Sequence, residues 1–204
     1  MDQSENTIYT IGHSNHEIKT FLELLEKYNI EVVADIRSTP YSRYSPQFNK
    51  DILENALNNC GMRYLFLGAE LGARPNDPEC YIDGRVSFEK MRKSAAFQQG
   101  IERLLIGMRK CKVVIMCSEK APINCHRTIL VSRVLKESGV TVKHILENGV
   151  TISQAEIENQ LMEKYKIEPD LFDNNRNVLI NDAYERQGED ISYVTQSEGE
   201  SIYG

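Results

Sequence analysis

Five short runs of β-branched, aromatic and aliphatic residues, separated by longer stretches with helical periodicity, constrain this chain more than any other feature. Thr7-Ile8-Tyr9-Thr10-Ile11 is the first run, and it stops at Gly12-His13. Val32 to Ile36, Met62 to Leu67, Lys112 to Cys117 and Val140 to Leu146 are the others. Between the first two, Ile18, Phe21, Leu22, Leu25 and Tyr28 recur at helical spacing and make one apolar face. Strands that alternate with helices are joined by crossovers, and crossovers produce parallel strands. The expected fold class is therefore α/β: a three-layer sandwich with a mostly parallel, about five-stranded central sheet and a C-terminal helical extension.

Local signals refine the outline. Ser14 followed by Glu17 reads as a capping box at the start of the first helix. A helix is expected near 50–60, then an irregular stretch from Gly68 to Arg85 with Pro75 and Pro78. Helical periodicity returns over 87–110, with a break near Gly100. A loop spans 118–125, and Leu130, Val131, Val134 and Leu135 mark a helix over 126–138. The expected domain layout is an α/β unit over 1–150 and a helical extension over 151–187, with one helix near 153–166. An acidic tail over 188–204 is expected to be mobile.

Composition excludes several classes. The longest apolar run, around Val113 to Cys117, is far shorter than the roughly 20 residues a membrane span requires. Residues 1–7 are polar and resemble no signal peptide, and the five cysteines have no regular spacing. Free thiols and a cytoplasmic location are the expectation, with no membrane partner. The net charge is −6, but Glu189, Asp190, Glu198 and Glu200 supply −4 of it, so the body is nearly neutral and can hold a basic pocket. Nucleic acid is the less favoured partner, and oligomeric state is not legible.

The unusual polar residues fall where strands end. In open parallel sheets, loops and helix N-termini converge there, which is where ligands bind. His13 ends the first strand. Asp35 and Arg37 end the second, with Tyr41, Arg43 and Tyr44 just beyond. Glu70 and Arg74 follow the third. Cys117 ends the fourth, Ser118 starts its loop, and Cys125, His126 and Arg127 open the next helix. The candidate catalytic residues are Cys117, Cys125, Asp35, His13 and His126. Arg37, Tyr41, Arg43, Tyr44, Glu70, Arg74, Ser118 and Arg127 are candidates for binding substrate or an anion.

Chemistry supports that division. A thiol near a helix N-terminus and beside Arg127 loses its proton readily, and forked guanidinium groups suit phosphate or carboxylate. Arg127 is expected to serve the ligand rather than the fold. Alternatives stand beside each reading: a strand-end cysteine often serves as a small hydrophobe, and Asp35 can simply cap its loop. Cys117, Cys125 and His126 could supply soft metal ligands, but a Cys-x7-Cys-His spacing matches no common zinc pattern, so no metal and no cofactor are expected. Glycine-rich nucleotide signatures are absent.

The segments Thr10 to Ser14, Ala34 to Tyr44, Leu67 to Pro75, Cys117 to Lys120 and Cys125 to Arg127 resemble the domain of unknown function 488 family. The resemblance covers about residues 7–146 and supports the choice of residues without naming a substrate. Cysteine phosphatases and rhodaneses also place a strand-end cysteine before an anion-binding helix. Phosphatases need Cys-x5-Arg, whereas nine residues, Pro122 among them, separate Cys117 from Arg127. The expected function is an enzyme, a thiol- or carboxylate-dependent hydrolase or transferase, acting on a phosphorylated or otherwise anionic small molecule or nucleotide. The alternative is a non-catalytic nucleotide- or nucleic-acid-binding module that uses the same pocket.

Overall fold

A computed structural model describes residues 6–168 and 175–195. Six strands form the main sheet: β1 (Thr7–Gly12), β2 (Val32–Asp35), β3 (Arg63–Phe66), β6 (Val113–Cys117), β7 (Thr141–Ile145) and β8 (Thr151–Ser153). A separate hairpin holds β4 (Tyr81–Ile82) and β5 (Arg85–Val86). The sheet order is β3-β2-β6-β1-β7-β8, and every pairing is parallel except β7 with β8. The mostly parallel α/β architecture is as expected, with one further edge strand.

The order explains where the layers lie. The chain moves from β1 past the place of β6 to β2 and β3. It then returns to insert β6 and crosses β1 to reach β7. Right-handed crossovers in opposite directions place their helices on opposite faces. One face carries α1 (Ile18–Lys27) and α2 (Lys50–Asn59), whose Phe21, Leu25, Leu53 and Leu57 pack on Val33, Val114 and Met116. The other carries α5 (Ala95–Met108) and α6 (Arg133–Glu137), whose Phe97, Leu104 and Leu135 pack on Ile8, Ala34 and Ile115. The change of direction lies at β2, β6 and β1, so the crevice opens at their carboxyl ends.

Several local expectations are corrected. Helix α1 starts at Ile18 with Glu17 as its N-cap and no side-chain cap bond. Ser14 instead sits at φ 39° in a turn closed by His16 N–H on His13 O, so the anticipated capping box does not form. Ser153 and Glu156 build a capping box at the start of α7 (Gln154–Lys164). The break in 87–110 falls at Ser94, between α4 (Phe88–Lys93) and α5, where the Ser94 hydroxyl accepts from Phe97 N–H. Gly100 lies inside α5, where a Cβ would meet Leu71 of the short helix α3 (Gly68–Leu71) at 2.6 Å. It permits close helix packing rather than breaking the helix.

The stretch read as irregular contains the β4–β5 hairpin, turned by Asp83 and Gly84 at φ 49° and 76°. Positive φ at both central residues is the favoured hairpin turn, and Asp-Gly suits it. Helix α8 (Arg176–Ile191) runs through residue 188. Val86 N–H then bonds Tyr193 O, and Thr195 N–H bonds Gly84 O. The tail expected to begin at 188 is therefore fixed through residue 195, and 196–204 lie outside the described residues.

The extension is joined to the sheet by apolar and polar contacts. Ile157, Leu161, Ile180, Ala183 and Tyr184 bury with Ile129. A buried polar chain runs beside them. Thr10 donates to His144 Nδ1 (2.8 Å), and His144 Nε2 donates to Gln154 Oε1 (2.7 Å). Gln154 donates to the Tyr184 hydroxyl, which donates to Glu158, and Glu158 pairs with Lys136. Buried polar groups cost stability unless each has a partner, and here each link supplies one. Among the described residues no helix is long and apolar enough to cross a membrane.

Candidate functional site at the carboxyl edge of the sheet

The strand ends converge as the crossovers require. Gly12 is level with Cys117, and Asp35 is level with Met116. Pairing continues beyond the strands, with His13 N–H on Cys117 O (2.9 Å) and Ser14 N–H on Ser118 O (2.9 Å). Two polar groups occupy this edge.

The first group is closed upon itself. Asp35 is fully buried and accepts from Arg37 Nε (2.9 Å) and Nη2 (2.6 Å), and from Tyr64 Oη (2.7 Å). Arg37 Nη2 also donates to Phe48 O, and its Nη1 lies 3.1 Å from His13 Nε2. The His13 ring stacks on Phe48 at 4.3 Å, and its Nδ1 donates to Ser14 O (3.0 Å). Burial first, then the Arg37 charge, pulls the His13 pKa down to about 4, which keeps the ring neutral and able to accept from Arg37. Burial and the neighbouring Asp35 push the Tyr64 hydroxyl up, so it stays a donor. Asp35 therefore has its acceptor positions taken by Arg37 and Tyr64, and the Arg37 donors are held internally.

The second group is Cys117, Cys125, His126 and Arg127. Cys117 and Cys125 are 5% and 1% exposed, and His126 Nδ1 lies 3.7 Å from one Sγ and 3.9 Å from the other. Cys125 is extended, at the end of a 3-10 turn over Pro122–Asn124, and His126 is already helical. Arg127–Ser132 form a π-helical stretch that leads into α6. Wide helical turns of this kind recur at functional sites. The nearness of the two sulfurs divides the pair, because one thiolate disfavours a second beside it. Interaction with Cys125, together with burial, holds the Cys117 thiol well above its ordinary range. Cys125 is drawn well below its ordinary range against the effect of burial, by interaction with Cys117, the Arg127 charge and His126.

Arg127 is 0% exposed, and its guanidinium donates to Glu119 O and Lys120 O. Its Nε is buried without a partner, and among the described residues it forms no ion pair with a carboxylate. Arg127 thus ties down the loop over the sulfurs, and it serves the fold as well as any ligand. Gly12 makes the same loop feasible, since a Cβ there would collide with Glu119 O. Gly12→Ala is expected to cost about 3 kcal/mol, near the top of the usual range for overpacking because the obstacle is backbone. Chemical denaturation measures this, and alkylation of Cys117 should accelerate as the loop lifts. An unchanged midpoint would show that the loop gives way freely.

The remaining candidates are dispersed. Tyr41, Arg43 and Tyr44 stand exposed on the loop before α2, Tyr44 at 98%. Glu70 pairs with Arg103 of α5, and exposed Arg74 lies over the Tyr193 ring at 4.4 Å. Ser118 lends its carbonyl to Ser14 N–H.

The model of the family described as domain of unknown function DUF488 matches residues 17–134, more than half of the chain. The chain belongs to the DUF488 family. Comparison with curated proteins and with solved structures returned no match. The matched DUF488 stretch contains Asp35, Arg37, Cys117, Cys125, His126 and Arg127, while His13 precedes it.

Sequence reasoning missed Tyr64, Phe48, Gly12, the carbonyl of Ile36, which lies 3.3 Å from His126 Nε2, and the carbonyls of Glu119 and Lys120. A buried aspartate at the end of a strand calls for donors on its neighbour strand, and Tyr64 on β3 was findable on that ground. Backbone carbonyls carry no residue-type signal at all.

Proposed function

We propose that this DUF488 chain is an enzyme acting on a phosphorylated or otherwise anionic small molecule or nucleotide, with Cys117, Cys125, His126 and Arg127 as its reacting centre. The observation that carries this reading is the buried Arg127 guanidinium, without a carboxylate partner among the described residues and with an unpartnered Nε, two residues after buried Cys125, whose sulfur lies near that of buried Cys117. A guanidinium stays charged in a protein, and a buried charge needs an opposite one. A thiolate or an anionic substrate group supplies it. A thiolate here can attack an electrophile or hold an ion that activates one. The carboxylate-dependent version is disfavoured because Asp35 is enclosed by Arg37 and Tyr64.

The test is a panel of phosphomonoesters, phosphodiesters, nucleotides and acyl thioesters offered to the full chain. At least one anionic class should be turned over, and Cys125→Ser and Cys117→Ser should each lower kcat/KM by roughly a thousandfold or more. Cys60→Ser, at an exposed cysteine, should leave it unchanged. Turnover that survives loss of both buried sulfurs would sink the reading.

The enclosure of the sulfurs favours one alternative, a module that binds a nucleotide without converting it. Equilibrium dialysis would then show binding with no product. A steep fall of affinity with salt would mark nucleic acid as the ligand, and a shallow one a small nucleotide.

A further inference from the structure

We infer that Cys117, Cys125 and His126 form a binding site for a soft divalent metal ion of the zinc class, held by two sulfurs and His126 Nδ1. The inference deepens the proposed reading by naming the cofactor of that same centre, and it rests on that reading only for its catalytic meaning.

Geometry carries it. The three ligand atoms all lie within 4.8 Å of one another. Zinc–sulfur and zinc–nitrogen bonds of about 2.3 and 2.0–2.1 Å at tetrahedral angles set the sulfur and nitrogen about 3.6 Å apart. The observed separations are 3.7 and 3.9 Å. The sulfur–nitrogen spacings thus match an ion to within a few tenths of an ångström, and the two sulfurs, no more than 4.8 Å apart, need close by at most about 1 Å.

The imidazole is also oriented for the task. His126 Nε2 lies 3.3 Å from Ile36 O and donates its hydrogen there, which leaves the Nδ1 lone pair facing both sulfurs. A ligating histidine usually gives its other N–H to a carbonyl or carboxylate in this manner. The backbone resolves the difficulty of adjacent ligands. Cys125 has φ −127° and ψ 137°, whereas His126 has φ −58° and ψ −26°. Two successive residues in one regular element diverge, but a joint between extended and helical backbone turns both side chains toward Cys117.

Donor softness selects the ion. Two thiolates and an imidazole favour zinc and its softer relatives and reject magnesium and calcium. Three protein ligands leave one position open, the pattern of catalytic rather than structural zinc. The buried and unpartnered Nε of neighbouring Arg127 favours an anion as the fourth ligand.

The test titrates the full chain, purified under reducing conditions with a chelator that is then removed, with cobalt(II) and then zinc(II). One equivalent of cobalt should bind with thiolate-to-cobalt charge-transfer absorption and the intense visible bands of a tetrahedral site, and zinc should displace it. Cys117→Ser, Cys125→Ser and His126→Asn should each weaken cobalt binding by more than about 100-fold, beyond the cost of losing a hydrogen-bond partner behind a ligand. Cys60→Ser and Cys111→Ser should not. Absence of the charge-transfer band in the folded wild-type chain overturns the inference, as does a band that persists without Cys117 or Cys125. If the variants fail to fold, the wild-type spectrum and its stoichiometry still decide. Cobalt bound with this signature but no turnover of any substrate class would keep the site and sink the enzyme reading. Cysteine-dependent turnover without metal binding would do the reverse.

Discussion

Replacing Asp35 with asparagine is expected to lower the stability of the fold by about 3–5 kcal/mol, the range found when one partner of a buried ion pair is removed. Asp35 is fully buried and Arg37 is 4% exposed, so water cannot take over the lost charge. The substitution keeps the size of the side chain and a carbonyl oxygen, yet it places an amide donor among the donors of Arg37 and Tyr64. Urea denaturation should show the midpoint falling with an unchanged slope. Asp35→Leu combined with Arg37→Met should recover some of the loss, because the pair together is worth far less than its broken half. A single-variant loss under about 1 kcal/mol would mean that the Arg37 network accommodates a neutral partner, contrary to its enclosed geometry.

Acidification from pH 7 to pH 4 is expected to remove about 3 kcal/mol of stability through His144 alone. Burial, opposed by the Gln154 hydrogen bond, pulls its folded pKa from 6.5 to about 4. Between those values the unfolded chain binds the proton that the folded ring refuses. Stability is therefore fully present above the unfolded value, falls as pH drops through the window, and levels off below the folded value. The ring can accept from Thr10 only when neutral, so protonation costs that bond as well as burying a charge. His13 acts in the same direction, with its own pKa at about 4. Denaturation midpoints at several pH values, in the wild type and in His144→Asn, measure the difference. An identical pH slope in the variant would assign the loss to other groups.

Much of the fold is legible in the sequence because strands of β-branched residues and helices with one apolar face declare their periods. The sheet strands β1, β2, β3, β6 and β7 fall within a residue or two of their expected ranges. Edge strand β8 has only Thr151, Ile152 and Ser153, too few for an alternation to register. Asp83-Gly84 announces the hairpin, but each arm is two residues long and stands inside a proline-marked stretch. Gly100 reads as a break because a helical glycine signals either weakness or close approach, and only the Leu71 contact separates the two.

The site is legible as a place more than as an arrangement. Topology brings Cys117, Cys125 and His126 together, while Glu70 and Arg74, also placed after a strand end, find partners at Arg103 and Tyr193. Spacing rules for metal ligands presuppose regular backbone between neighbours, and the joint at Cys125 and His126 breaks that assumption. Asp35 and Arg37 look like reactive groups for the same reason they are not free to react: strong charges at a strand end attract each other first.

The polar chain from Thr10 to Lys136 passes through β1, β7, α7 and α8, then back through α7 at Glu158 to α6. Its members cannot separate singly without stranding a donor or acceptor in the interior. Opening the C-terminal helices thus strips His144 of its Gln154 bond and unpacks the β7–β8 edge of the sheet as well. A shorter chain ended at residue 150 would retain every helix that covers the sheet up to that point and still leave His144 with half of its bonds.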